Sequence, residues 1–176
     1  VVFSVALNGA DLSGLDLAGI MFVDVDFSGV NFSKTKLQGC SFFNCILDHA
    51  DFSQADLSYT LLNNQKLIEN KALLAQLAEL KGQPEAEIKP DALGSATGAN
   101  FSGAMLCGLS LESMDLSRGN FNGADFTSAS IEKSELSGAD LHGATIVNCD
   151  FKHCGLDKVT FDNSVISNSS LSDCTV

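Results

Sequence analysis

The sequence predicts an all-β solenoid interrupted once by a helix and a loop, and three observations carry that reading. A large apolar residue returns at every fifth position, from Val2 to Leu62 and again from Phe101 to Val176. A small residue usually stands two places before it. Between Leu62 and Phe101 the register breaks, and helix-forming residues replace the pattern. A period of five fits neither a helix at 3.6 nor a strand at 2, so the chain is read as a repeat before anything else.

The pattern is cleanest in GNFNGADFTSASIEKSELSGADLHGATI, residues 119–146. Its centres are Phe121, Phe126, Ile131, Leu136, Leu141 and Ile146. Their small partners are Gly119, Ala124, Ala129, Ser134, Ala139 and Ala144. Over the whole chain 13 centres precede the break and 16 follow it, all apolar, and ten of the 12 Phe sit at a centre. Centre and partner point inward; the residues between and after them face water. One such unit cannot bury its side chain alone, so units must stack, at the roughly 4.8 Å spacing of paired strands. Phe27, Phe52, Leu57, Phe121, Phe126, Leu136, Leu141 and Phe151 are representative core positions.

ADLSG at 10–14, ADFSQ at 50–54, ADLSY at 55–59, ADFTS at 124–128 and ADLHG at 139–143 resemble the consensus of the pentapeptide-repeat family. The resemblance covers 1–62 and 99–176. It implies a right-handed quadrilateral β-helix with four pentads per coil, hence about seven coils for 29 pentads. The expected organisation is one continuous solenoid: a first block at 1–62, a helical insertion with its loop at 63–98, and a second block at 99–176.

The net charge is −12. That argues against direct binding to nucleic acid or an anionic membrane and permits a basic partner. No apolar run approaches membrane-spanning length. The pattern is at full strength from Val2 to Val176, and residue 1 is Val, so the chain reads as a piece of a longer one. Cys40, Cys45, Cys149, Cys154 and Cys174 fall in the small inward slot and read as reduced packing residues, which points to a cytoplasmic setting. Cys154 and Cys174 are separated by four pentads and stack if that is one coil; a bridge between them depends on geometry. Asp16, Lys36 and Asp56 share the same spacing and form an expected acid–base–acid column.

In the insertion, Asn63 or Asn64 is the expected cap of a helix over Gln65 to Lys81, stopped by Gly82 and Pro84. Residues 83–98 read as an irregular loop. The helix is too apolar to stand in water, so it packs on the solenoid, on a second copy of the chain, or on a partner. Leu67, Leu73, Leu74, Leu77 and Leu80 are the expected partner-contact residues if the solenoid leaves that face uncovered, and a homodimer is one such arrangement.

The residues of catalysis are missing in pattern. His49, His142 and His153 occupy outward slots, and no zinc-ligand spacing occurs. The recurring Asp residues read as turn residues rather than acid–base pairs, and the serines follow the repeat. No enzyme, cofactor or metal is expected. The leading reading is a protein-interaction scaffold with a protein partner. Some family members resemble DNA in width and charge, bind gyrase and confer quinolone resistance, and residues 39–58 look like stretches of that subgroup. The chain departs from that subgroup in having no C-terminal helix pattern and a longer insertion. A third reading is the recognition domain of a longer, secreted bacterial effector.

Overall fold

The computed structural model describes residues 1–63, 69–84 and 94–176. Strands β1 (Val2–Phe3), β2 (Met21–Val23), β3 (Ser41–Phe43), β4 (Leu61–Asn63), β6 (Ser110–Glu112), β8 (Ser130–Glu132), β10 (Asp150–Lys152) and β12 (Ser170–Ser172) stack in that order into one eight-stranded sheet. All pairs are parallel, and each centre lies on the next: Val2 on Phe22, Phe22 on Phe42, Phe42 on Leu62, Leu62 on Leu111. This sheet is wall one. The other three walls are held mainly by single bridges, with short pairs β5 (Gly94–Ser95) on β7 (Met114–Asp115) and β9 (Thr145–Val147) on β11 (Val165–Ser167). Wall three, for example, runs Asp11, Asn31, Asp51, Asn100, Asn120, Asp140, Thr160.

The corners explain the polar part of the repeat. Asp11 Oδ1 accepts from the Ser13 amide at 3.0 Å, and Asn31, Asp51, Asn100 and Asp140 do the same two residues on. Asp and Asn recur because they close these turns. The next residue takes a positive φ, usually as Gly but also as Lys34 (59°) and Tyr59 (59°). Inside, Phe27, Phe52, Leu57, Phe121, Phe126, Leu136, Leu141 and Phe151 are each at most 1% exposed. Phe32, Phe52, Phe101 and Phe121 form a continuous ring stack, with centroids 4.9 Å apart at each step.

The solenoid resumes earlier than the periodicity suggests. Ser95 bridges Ile46, and the Leu47 amide donates to the Ser95 carbonyl at 2.6 Å, so Ala96 takes the centre above Leu47 and Gly94 its small slot. Residues 94–98 therefore belong to the coil, not to an irregular loop. Successive centres on wall one are four pentads apart, except that Leu62 is followed by Leu111. The excess is the inserted segment, equal in length to the stretch 64–92. With this added pentad the solenoid makes about seven and a half coils, and its longest sheet has eight rungs, so the expected count of about seven becomes about eight turns only when the incomplete last coil is included.

The helix differs too. Asn63 continues β4 and pairs with Glu112, so it is no helix cap; Asn64 lies outside the described residues. The described helix, α1, is Lys71–Lys81, capped by the Asn70 side chain on the Leu73 amide at 3.1 Å. At its other end Gly82 is left-handed; its amide donates to the Glu79 carbonyl and the Gln83 amide to the Ala78 carbonyl. That is the Schellman arrangement, and it places Gly82 where φ of 61° is needed.

Candidate interaction surfaces

Wall one is apolar on its outside for four rungs. Phe3, Met21, Val23, Phe43 and Leu61 occupy its outward slots and meet Leu73, Leu74, Leu77 and Ala78 of α1 in a second hydrophobic cluster. Eleven helical residues span about 16 Å, and four rungs about 14 Å, so α1 is long enough to cover the stripe. Lys81 donates to Asp24 Oδ1 at 2.6 Å and ties the helix end to the second rung.

The expectation for the leucines held only if the solenoid left that face uncovered, and the described residues show it covered. Leu73, Leu74 and Leu77 are buried between α1 and wall one and are not exposed to a partner. The cause is the apolar stripe, which gives the helix a partner within its own chain. Leu80 alone of the described set is open, at 62% exposure, beside a groove of about 610 Å³ lined by Phe3, Gln76, Glu79 and Leu80. Leu67 lies outside the described residues.

The other walls are polar and mostly acidic. Wall four carries Asp16, Lys36, Asp56, Met105 and Asp125 in one column, with Lys36 Nζ 3.4 Å from Asp16. Wall two carries Asp26, Ile46, Ser95, Asp115 and Glu135. Wall three, opposite the helix, has a column of Asp and Asn ending in Thr160, without a basic residue. Hydrogen bonds from the Ser28 hydroxyl and amide hold the Asp26 carboxyl below its ordinary range.

The reactive side chains are muted. Burial pushes the Cys45 thiol up to about 12 and raises Cys40, Cys149 and Cys154. Cys107 is the one cysteine in an outward slot; its thiol is raised by burial and then by the Asp125 carboxylate. These raised thiols are protonated at neutral pH, so none of them is poised to react first with an external electrophile. Among the described residues no group of three or more His, Cys, Asp or Glu side chains could hold a metal, and no helix is long and apolar enough to cross a membrane.

Stacked parallel rungs around a stripe of Phe and Leu define a quadrilateral β-solenoid. The pentapeptide-repeats family model matches residues 6–44, 35–67, 45–77, 97–132 and 134–173, and the chain belongs to that family. No curated protein sequence matches it. Among solved structures it is similar to a trypsin-treated variant of QnrB1, a plasmid-mediated fluoroquinolone resistance protein, at 18% identity and a TM-score of 0.66, covering 98% of this chain and 72% of that one. It is also similar to HetL, a pentapeptide repeat protein involved in heterocyst differentiation regulation from the cyanobacterium Nostoc sp. strain PCC 7120. There the identity is 16% and the TM-score 0.51, over 96% of this chain and 88% of that one. At these identities the likeness is one of fold.

Proposed function

We propose that the protein is a non-enzymatic scaffold that binds a protein partner through its acidic walls. The observation that carries this is wall three. Its Asp11, Asp51 and Asp140 carboxylates are each fixed by a turn hydrogen bond, on a rod whose opposite wall is covered by α1 over its first four rungs. A rigid carboxylate column costs little ordering entropy on binding and selects a basic partner surface. The test replaces these three residues by Asn, which already closes the same turn at Asn31, Asn100 and Asn120. Partners captured from the native host by the parent chain and lost by the folded triple variant support the reading. A partner set indifferent to the variant sinks it.

A second reading is a DNA-mimicking gyrase-binding protein linked to quinolone resistance. It is favoured by the net charge of −12 and by the same column. Inhibition of gyrase supercoiling by the parent chain, relieved in the triple variant, is its signature. The effector-domain reading turns on the sequence of the full-length gene.

A further inference from the structure

We propose that Cys154 and Cys174 form a disulfide under peroxide, a modification site that staples two adjacent rungs of the solenoid. The repeat puts both thiols in the same inward slot, one rung apart. Gly155 bridges Thr175 immediately after them, and the Thr175 amide donates to the Cys154 carbonyl at 3.0 Å, so the two residues are in register. Paired strands lie about 4.8 Å apart, inside the ~4.4–6.8 Å range of Cα separations that a disulfide spans.

The two thiols take the same orientation, each aimed at a carbonyl one rung below, so Cys154 Sγ turns toward Cys174 as the bond forms. Cys154 Sγ donates to the Ile131 and Lys152 carbonyls, both at 3.4 Å. Cys174 Sγ donates to the Phe151 and Ser172 carbonyls at 3.6 and 3.5 Å, the same contacts moved up one rung. The remaining cysteines have no such neighbour. One rung either side of Cys40 the slot holds Ile20 and Thr60; around Cys149 it holds Ala129 and Ser169. Cys45 has Val25 below it and Gly94 above, and Cys107 faces outward.

Access favours one order of events. Cys174 is partly exposed, Cys154 is 1% exposed, and a shallow groove of about 320 Å³ opens at Cys154 between Lys133, Glu135, His153 and Asp173. Cys174 sulfur attacks hydrogen peroxide, takes one oxygen as sulfenic acid, and releases water. Cys154 sulfur then attacks that sulfur; the S–S bond forms, the S–O bond breaks, and the hydroxyl leaves with the Cys154 proton as a second water. The product closes a loop that restricts the unfolded chain, so it stabilises the last rungs.

The full chain is treated with hydrogen peroxide at neutral pH, alkylated and mapped by mass spectrometry. The expected product has lost two hydrogens and two of its six free thiols, links the Cys154 and Cys174 peptides, melts at higher temperature, and reverts with dithiothreitol. Cys154→Ser and Cys174→Ser keep the fold, because serine already fills this slot at Ser134 and Ser169. Neither variant gives the linked product, and Cys154→Ser leaves a Cys174 sulfenic acid that dimedone traps. Retention of all six thiols, a product joined through Cys107, or Cys174 sulfinic acid in the parent chain without linkage overturns the proposal.

Discussion

Lys81, the last residue of α1, donates to Asp24 Oδ1 at 2.6 Å across 57 residues of sequence. Asp24 stands at a corner of wall one, with Ser4 one rung before it and Asn44 one rung after. Both donate to it, Ser4 at 3.0 Å and Asn44 at 2.8 Å. One carboxylate thus joins three rungs to the helix. Lys81→Ala removes a partly solvated pair and is expected to cost under ~1 kcal/mol. Asp24→Ala strands three donors and is expected to cost more. Hydrogen exchange of the α1 amides reads both; equal exchange in the two variants would show that Asp24 does not organise this corner.

The helix is docked mainly by its leucines. Leu77→Ala opens a cavity against Val23 and Phe43 and is expected to cost ~2–5 kcal/mol in denaturant unfolding. Leu80→Ala, at an exposed position, is expected to stay within ~0.5 kcal/mol of the parent. Deleting 64–92, the full excess between Leu62 and Leu111, rejoins Leu62 to Ala96 in register. The solenoid is expected to fold and to self-associate through Phe3, Val23 and Phe43. Light scattering checks this, and a monomeric deletion variant would mean the stripe needs no cover.

That stripe also marks where the sequence spoke and where it did not. Of 12 Phe, only Phe3 and Phe43 sit away from a centre, and both lie under α1. Phe3, Val23 and Phe43 recur at the four-pentad step, so one coil of that length would have aligned them into one apolar stripe. The signal was present, but it became a surface only when the coil length was applied to outward slots. Ala96 was not legible as a centre, because a small side chain there breaks the apolar pattern that defines one. Its place is fixed by the bridge from Ile46 to Ser95, a contact that spans the insertion. Asn63 looked like a cap because Asn caps helices; pairing with Glu112 in the sheet overrode that local preference.

The ring stack crosses the insertion at Phe52 and Phe101, whose planes are 2° apart. Phe101→Ala is expected to cost ~3–5 kcal/mol. Because that ring joins the block before the insertion to the block after it, unfolding followed by circular dichroism should broaden or split. Phe101→Leu should keep a single transition at a smaller cost. A single sharp transition in Phe101→Ala would mean the backbone ladder alone couples the blocks.

Acid should unfold the rod through its turn carboxylates. The Ser28 hydroxyl and amide lower the pKa of Asp26 in the folded state. A lowered folded-state pKa contributes stability that is present above the unfolded value of about 3.9 and is lost as pH falls through the folded value. Stability is therefore expected to hold from neutral pH to about pH 4 and to fall below it. Asp26→Asn keeps an acceptor for the turn but not its charge, so it should be somewhat less stable than the parent at neutral pH and show a shallower acid loss. An acid profile unchanged in this variant would assign the loss to other groups.

Gly108 and Tyr59 test the corners most directly. Tyr59 is 72% exposed at a positive φ, and its ring lies over Gly108 in the next rung, where an added Cβ would stand 2.7 Å from two ring carbons. Gly108 also has φ of 64°, which a side chain disfavours by ~1 kcal/mol. Gly108→Ala therefore combines backbone strain with a clash, while Gly123→Ala, at φ of 67° with open space, carries the strain alone. The first should destabilise more than the second in thermal unfolding. Adding Tyr59→Ser should erase the difference, because the three atoms nearest a Cβ at Gly108 all belong to that ring and the backbone term remains. If Tyr59→Ser leaves Gly108→Ala as damaging as before, the ring swings away in solution and the glycine is required by its φ alone.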